Sequence, residues 1–561
     1  MRGIHRRITT LQGEYVQNFE RARTRFFALV MFFSLAFLIV VGRLVYLMGP
    51  GILAGDQIVQ VSQNAPAPKR ANIVDRNGML IATSLETKSL YADPKFVKDA
   101  KKLAFKIAEI FPGLDASELE SDLNKKSRFV WVKRHLTPKQ QAAVLEIGDP
   151  ALNVQTEYRR VYPQDHLFSH VIGYTNIDGQ GIAGLEKYYD DILLSDQKDM
   201  VLNLDTALQD ILRSETQKSM QEFSAIGGSG IVMDVNSGEI LAMVSLPDFD
   251  PNKPDPSDTT AMFNRNTVGV YEMGSTFKPF AFAAALEDKV TRVNKIYDVS
   301  EPLKYGRFRI RDYHPYKRPI TATEVFIHSS NIGTAQMALD LGTEKLKDFY
   351  DDLGFFDKVT IDLPERGSPI LPSVWREVNT VTASYGHGIA VSPLHVVRAT
   401  AAMVNGGTLP YPHLAQNAQH TDKPQISVIS PETSDMIAGL LALTVEKGTG
   451  SKAAHQDIWV GGKTGTSEKI SATGRYEEKK LLSSFVGVFP ADNPQYVMLV
   501  SVDEPKGTKK SFGFATGGWT SAPVVGKTIE YMKPSMPSLN VANKKPFPTL
   551  AALEKFITEE D

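Results

Sequence analysis

Gly274-Ser275-Thr276-Phe277-Lys278-Pro279 leads directly into the apolar run Phe280-Ala281-Phe282-Ala283-Ala284-Ala285-Leu286. The run predicts a buried helix over Lys278 to Leu286, with Ser275 where that helix starts. Backbone N–H groups in a first helical turn are unpaired and carry partial positive charge, which stabilises a developing anion. Residues three apart share a helix face, so the amine of Lys278 can reach the hydroxyl of Ser275 and take its proton if burial or a nearby cation lowers the lysine pKa. Pro279 is tolerated because it stands close to the helix start. The pair reads as a serine nucleophile with a lysine base. The spacing alone decides little, because Ser195-Asp196-Gln197-Lys198 repeats it.

Two later elements narrow the reading. Ser329-Ser330-Asn331 follows the helix-like stretch Thr321 to His328 and presents hydroxyl and amide groups on a loop, suited to proton relay and to holding a peptide amide. It too has a chance match, Ser62-Gln63-Asn64. Lys463-Thr464-Gly465-Thr466 contains the only Lys-Thr-Gly of the chain and follows the strand-like Ile458-Trp459-Val460 and the pair Gly461-Gly462. Glycines there are expected to let an extended substrate lie against the strand, while Lys463, Thr464 and Thr466 offer charge and donors to a carboxylate.

Ser-x-x-Lys, Ser-x-Asn and Lys-Thr-Gly, met in that order on a helix start, a loop and a strand, resemble the signature of penicillin-binding proteins and class A β-lactamases. Further stretches resemble landmarks of class B penicillin-binding proteins. They include Arg70 with Ile73-Val74-Asp75-Arg76-Asn77-Gly78, Arg160-Val161-Tyr162-Pro163, Gly184-Leu185-Glu186, Asn264-Arg265, Tyr385-Gly386-His387-Gly388 and Gly517-Gly518. The resemblance spans residues 21 to about 533 and is to the cell-division type, since the second motif is Ser-Ser-Asn and not Ser-x-Asp. Met273, where many relatives have proline, is a departure that changes a turn residue and no catalytic group.

The resemblance implies an α/β (α+β) serine transpeptidase domain over residues 226–533, on an elongated N-terminal pedestal of the dimerisation type that occupies 49–225 together with a linker. It implies a substrate ending in D-alanyl-D-alanine on a peptidoglycan stem peptide, acylation of Ser275, and passage of the acyl group to an amine. Lys278 would be the general base, and Ser329 and Asn331 would relay protons and orient the peptide. Lys463, Thr464, Gly465 and Thr466 would form the carboxylate-binding strand, and the N–H groups of Ser275 and Thr466 the oxyanion hole. β-Lactams would acylate the same serine. No metal or organic cofactor is implied; a membrane-embedded glycan polymerase and other division proteins are the implied partners. Transfer to an amine and transfer to water both remain compatible with these motifs.

Composition agrees with that setting. With 62 basic and 64 acidic residues in 561 the net charge is -2, which argues against a nucleic-acid binder that relies on a global positive field. The absence of cysteine removes thiolate chemistry and disulfides, and suits a chain that crosses into an oxidising compartment. Phe26 to Gly42 is uncharged and apolar and continues beyond Arg43 through Leu44 to Met48, long enough over 26–48 to cross a bilayer core of about 30 Å. Six arginines precede the run from Arg2 to Arg25, and after Arg43 no Lys or Arg occurs until Lys69. Residues 1–25 are therefore expected in the cytoplasm and the remainder outside, in a single-pass membrane protein; the resemblance implies the cytoplasmic membrane at the division septum. A cleaved signal peptide ending at Ala65-Pro66-Ala67 is the alternative, but the run exceeds an h-region of about 7–15 residues.

Asn77-Gly78 and Asn236-Ser237-Gly238, each between apolar runs, predict two hairpins. Strand-like runs return at Ser484 to Phe489 and Tyr496 to Val502, so the second sheet is expected to draw on both ends of its domain. The tail from Pro534 to Asp561 is expected to be mobile. Gly179-Gln180-Gly181-Ile182-Ala183-Gly184 fits a dinucleotide fingerprint, yet no series of βαβ units surrounds it, and it reads as a turn before a charged surface helix. His166 and His170 lack further ligands and read as packing or surface residues. His328 and His387 lie near site segments and receive no catalytic role.

Overall fold

The computed structural model describes residues 27–41, 43, 69–196, 198–306, 308–418, 426–470, 476–539 and 543–558. It divides into one unit over Met1–Pro66 and a second over Ala67–Asp561. In the first unit residues 27–41 are helical and expose almost all of their apolar side chains. Among the described residues no helix is long and apolar enough to cross a membrane. The rest of the expected 26–48 anchor, apart from Arg43, lies outside the described residues, as do the 1–25 tail and most of the linker.

The second unit opens with the first expected hairpin. Strand β1 (Ile73–Val74) pairs antiparallel with β2 (Leu80–Ala92), Ile73 opposite Ala82. Gly78 takes φ +84° in the turn, where a side chain would be strained. The Asp75 carboxylate accepts the N–H groups of Asn77 and Met79 at 2.8 Å each. Strand β2 also pairs with β3 (Val130–Leu136) and β4 (Leu152–Val161), while β5 (Met200–Val201) lies parallel to β1. Helices α1 (Ala100–Ile110), α2 (Ala116–Leu123) and α3 (Pro138–Ile147) enclose a small core with Leu90, Leu103, Ile107 and Leu123. Ahead of α1, Pro94–Phe96 is a 3-10 turn, and α1 begins only after Asp99 caps it through the Lys102 N–H.

A buried ion cluster ties this sheet to the next segment. Glu186, fully buried, accepts Arg70 Nε at 2.9 Å and Arg160 Nε at 2.6 Å. Arg70 also reaches Asp190 at 2.6 Å and the Gly179 carbonyl at 2.9 Å. The helix expected on the surface is thus an internal anchor. Gly184 belongs to the same close packing, since at φ +61° a Cβ there would lie 2.4 Å from the Gly173 nitrogen.

Helix α4 (Thr206–Glu222) starts on the Asp75 carboxylate, which accepts both the N–H and the hydroxyl of Thr206. It leads to the second hairpin, β6 (Gly227–Asp234) and β7 (Ile240–Leu246). These join β8 (Gly461–Ile470), β9 (Tyr476–Phe489) and β10 (Tyr496–Asp503) in an antiparallel sheet of order β8-β9-β10-β6-β7, drawn from both ends of the domain. Alternate strand residues face two cores. Val232, Val244, Met498 and Val500 pack with Leu208 and Leu212 of α4; Ile231, Met243, Val486 and Leu499 pack with the helices that carry the site.

Two expectations fail here. Ile458–Val460 is not a strand, because the Trp459 carbonyl accepts the Ala491 N–H and its indole donates to Lys545, so β8 begins at Gly461. Nor is the described part of the tail loose. Pro548–Glu554 is helical with Leu550 and Leu553 buried, and the Phe556 carbonyl accepts the Thr321 hydroxyl.

Replacing Glu186 with Gln leaves Arg160 with no carboxylate in a buried site. Glu186→Gln is expected to cost about 3 kcal/mol or more in unfolding free energy, seen as a lower denaturant midpoint of the purified chain at unchanged slope. An unchanged midpoint would show that the cluster adds nothing to stability.

Candidate active site

Ser275 does not sit in the first turn of an α-helix. Gly274–Phe277 forms a 3-10 turn that passes into α5 (Lys278–Glu287). The tighter turn follows from Gly274 at φ +54°, whose N–H donates to the Gly386 carbonyl at 3.2 Å. Ser275 is half-buried, and its own N–H has no acceptor among the described residues.

Lys278 is fully buried. Its Nζ donates to the Ser329 carbonyl in a very short contact and to Asn331 Oδ1 at 2.7 Å, and lies 3.0 Å from Ser329 Oγ. Carbonyl and amide oxygens accept only, so they use two N–H bonds and leave the third direction to a hydroxyl. That pattern suits a neutral amine, which has two hydrogens and one lone pair. Burial pushes the Lys278 pKa well below its ordinary value, the charge of Lys463 pushes it further, and Asp312 opposes them.

The second motif is shaped by backbone strain and by an aspartate that sequence reasoning missed. Helix α6 (Ala322–Ile327) ends just before Ser329, which adopts φ +62° and so turns both its oxygens to Lys278. Ser330 caps α7 (Asn331–Leu341) through the Gly333 N–H, making Asn331 the first helical residue and not part of a loop. Asp312 Oδ1 accepts the N–H groups of Asn331 and Ile332, at 2.5 and 3.0 Å, and Oδ2 accepts the Ser330 hydroxyl at 2.6 Å. No periodicity marks Asp312; only its three-dimensional place does.

The third motif lies on β8, an edge strand with one backbone edge open. Its glycines serve packing and not a substrate. A Cβ at Gly462 would meet the Phe485 ring at 2.3 Å, and one at Gly465 would meet the Met273 carbonyl at 2.7 Å. Gly465 therefore lets β8 press against the nucleophile turn. The same contact sets Thr466 beside that turn: a Cβ on Gly274 would lie 2.8 Å from the Thr466 carbonyl. The two backbones whose N–H groups were expected to form the oxyanion hole thus adjoin.

Lys463, expected to offer its charge to the carboxylate, is fully buried, does not line the cavity, and among the described residues donates only to the Thr464 carbonyl, at 3.4 Å. Burial brings its pKa down to about 7. Its effect on the site is electrostatic.

Ser275, Ser329, Asn331, Thr464 and Thr466 line one cavity of about 800 Å³, with Thr449 hydrogen-bonded to Thr464 at 2.9 Å. His328 and His387 line it too. Ser195 and Lys198, the chance match, are elsewhere, in and just beyond the short helix Asp190–Ser195. His170 is a packing residue whose Nε2 lies 2.7 Å from the Ala261 carbonyl. No cluster of three metal-ligating residues occurs among the described residues.

A serine three residues before a buried lysine whose pKa is pushed down, a cluster of hydroxyls and an edge strand make up the apparatus of a serine acyl-transferase. The family model of the penicillin binding protein transpeptidase domain matches residues 228–530, and that of the penicillin-binding protein dimerisation domain matches 65–222. The chain belongs to the penicillin-binding protein transpeptidase family. Its relatives include the probable peptidoglycan D,D-transpeptidase FtsI of Caulobacter vibrioides, 36% identical over 86% of this chain and 83% of that protein. The peptidoglycan D,D-transpeptidase FtsI of Escherichia coli K12 is 30% identical over 88% of each. Penicillin binding protein 3 of Mycobacterium tuberculosis, solved with aztreonam, shares the fold at a TM-score of 0.67 and 22% identity, over 86% of this chain and 98% of that one.

Acylation by benzylpenicillin is expected to follow a bell-shaped pH profile. The acid limb rises as Lys278 loses its proton; the alkaline limb falls as Lys463, near 7 in the free chain, loses its charge. Asp312→Asn removes the charge that raises the Lys278 pKa, so the acid limb is expected to move to lower pH while the rate falls about tenfold through the disturbed Ser330 and Asn331. Stopped-flow acylation rates across pH check both points, and an unmoved acid limb would contradict the assignment to Lys278.

Proposed function

We propose that this chain cross-links stem peptides during septal cell-wall synthesis as a peptidoglycan D,D-transpeptidase, through an acyl-enzyme on Ser275. The observation that carries the proposal is the convergence of Ser275, Ser329, Asn331, Thr464 and Thr466 on one cavity, in front of a buried Lys278 whose hydrogen bonds suit the uncharged amine.

In the acylation step the Ser275 oxygen attacks the carbonyl of the penultimate D-alanine. Its proton passes to Lys278, directly or through the Ser329 hydroxyl, and on to the departing D-alanine nitrogen as the C–N bond breaks. The Ser275 and Thr466 N–H groups take up the charge on the carbonyl oxygen. Thr464 and Thr466 hold the terminal carboxylate, in a field made positive by Lys463 behind the wall. An amine of a second stem peptide then displaces Ser275. A β-lactam enters the same path and stalls at the ester.

The N-terminal run fits a chain held in the cytoplasmic membrane through 26–48, with its catalytic domain outside and a membrane-embedded glycan polymerase and other division proteins beside it.

Full-length protein in isolated membranes, exposed to fluorescent penicillin and digested, is expected to carry the label on the peptide containing Ser275. Ser275→Ala should remove the label and, in cells, arrest septation at normal protein levels. Label on another residue would overturn the nucleophile. Normal division of Ser275→Ala cells would instead assign the chain a sensing or scaffolding role.

A further inference from the structure

His387 has no role in the steps above, yet it lines the catalytic cavity and is held there firmly. Its neighbours Gly386 and Gly388 take φ of +80° and +76°, and both are fastened to the nucleophile turn. The Gly386 carbonyl accepts the Gly274 N–H, and the Gly388 N–H donates to Glu272 Oε1 at 2.7 Å. Glu272 is buried and also receives the Tyr476 hydroxyl, at 3.2 and 3.1 Å. The imidazole lies between two rings, with centroids 5.4 Å from Tyr385 and 6.1 Å from Tyr476. Three fixed elements thus aim one side chain, and neither of its ring nitrogens has a hydrogen-bond partner among the described residues.

Burial lowers the His387 pKa to about 4, so the ring is neutral at physiological pH and keeps one accepting nitrogen. The second half of the reaction needs such a group. An attacking amine must stay unprotonated, because an ammonium has no lone pair. Glu468, which also lines the cavity, would favour the ammonium form. A neutral imidazole instead accepts one N–H and leaves the lone pair free to attack.

We propose that His387 is the acceptor-binding residue, taking an N–H of the incoming primary amine through its unprotonated ring nitrogen and directing the lone pair at the Ser275 ester. The amine nitrogen bonds to the ester carbon, the bond from that carbon to Ser275 Oγ breaks, and one amine proton returns to Oγ by way of Lys278. Glu272 is a positioning residue that acts through the turn bearing His387. The inference rests on the acyl-enzyme reading of Ser275.

The test is a partition. Full-length protein in detergent is given a benzoyl-D-alanyl thioester of mercaptoacetic acid as donor and D-alanine as amine acceptor, and the ratio of transfer to hydrolysis product is followed as D-alanine rises. Both products leave from one acyl-enzyme, so the ratio is independent of how fast that species forms. His387→Phe, which keeps a ring between Tyr385 and Tyr476, is expected to lower the slope about tenfold, the loss of one hydrogen bond to the acceptor. His387→Gln, which restores an accepting atom, is expected to recover part of it. An unchanged slope in the Phe variant, equal loss in both variants, or a folded Phe variant that takes no acyl group would overturn the proposal. Absence of any acyl-enzyme in the unaltered chain would overturn the reading beneath it instead, and fluorescent penicillin distinguishes the two cases.

Discussion

The site depends on an amine placed where the protein interior disfavours its charge. Among the described residues Lys278 forms no ion pair; it has two oxygens that only accept, a hydroxyl, and a second buried lysine whose charge pushes its pKa down while Asp312 opposes the shift. A buried ammonium is costly, so burial and the charge of Lys463 push the Lys278 pKa down against the pull of Asp312 and favour the form that can act as a base. The second motif is built around that amine. The left-handed backbone at Ser329, the cap at Ser330 and the Asp312 carboxylate all fix the acceptors that receive its hydrogens.

Close backbone approach is the second constraint. Gly274, Gly386 and Gly465 lie where the nucleophile turn, the turn bearing His387 and the edge strand meet, and a Cβ at any of them would collide with backbone oxygen within 2.1 to 2.8 Å. Ser275, Thr464 and Thr466 thereby share one wall. Lys463 shapes that wall from behind.

Motif order, the two glycine turns and alternating apolar runs made the three segments that meet at the cavity, both hairpins and most of the second sheet legible, because each depends on local chain chemistry. What escaped depends on distant partners. Asp312 is an ordinary aspartate until the Ser330–Asn331 turn is folded onto it, and Glu186 resembles any charged helix residue until two arginines enclose it. Gly461 and Gly462 suggested room for a ligand, but the space is filled by Leu441 and Phe485. The burial of Lys463 was also not legible, because a charged residue in a binding strand is expected to face outward.

The protonation state of Lys278 tests the account most directly. Neutron diffraction from deuterium-exchanged crystals near neutral pD counts the deuterons on its Nζ. Two deuterons, on the sides of the Ser329 carbonyl and Asn331 Oδ1, with the lone pair toward a hydroxyl, is the result the account predicts. Three deuterons on Lys278 would contradict it, since the base would then be charged at rest and the burial of the pair would not have done the work assigned to it.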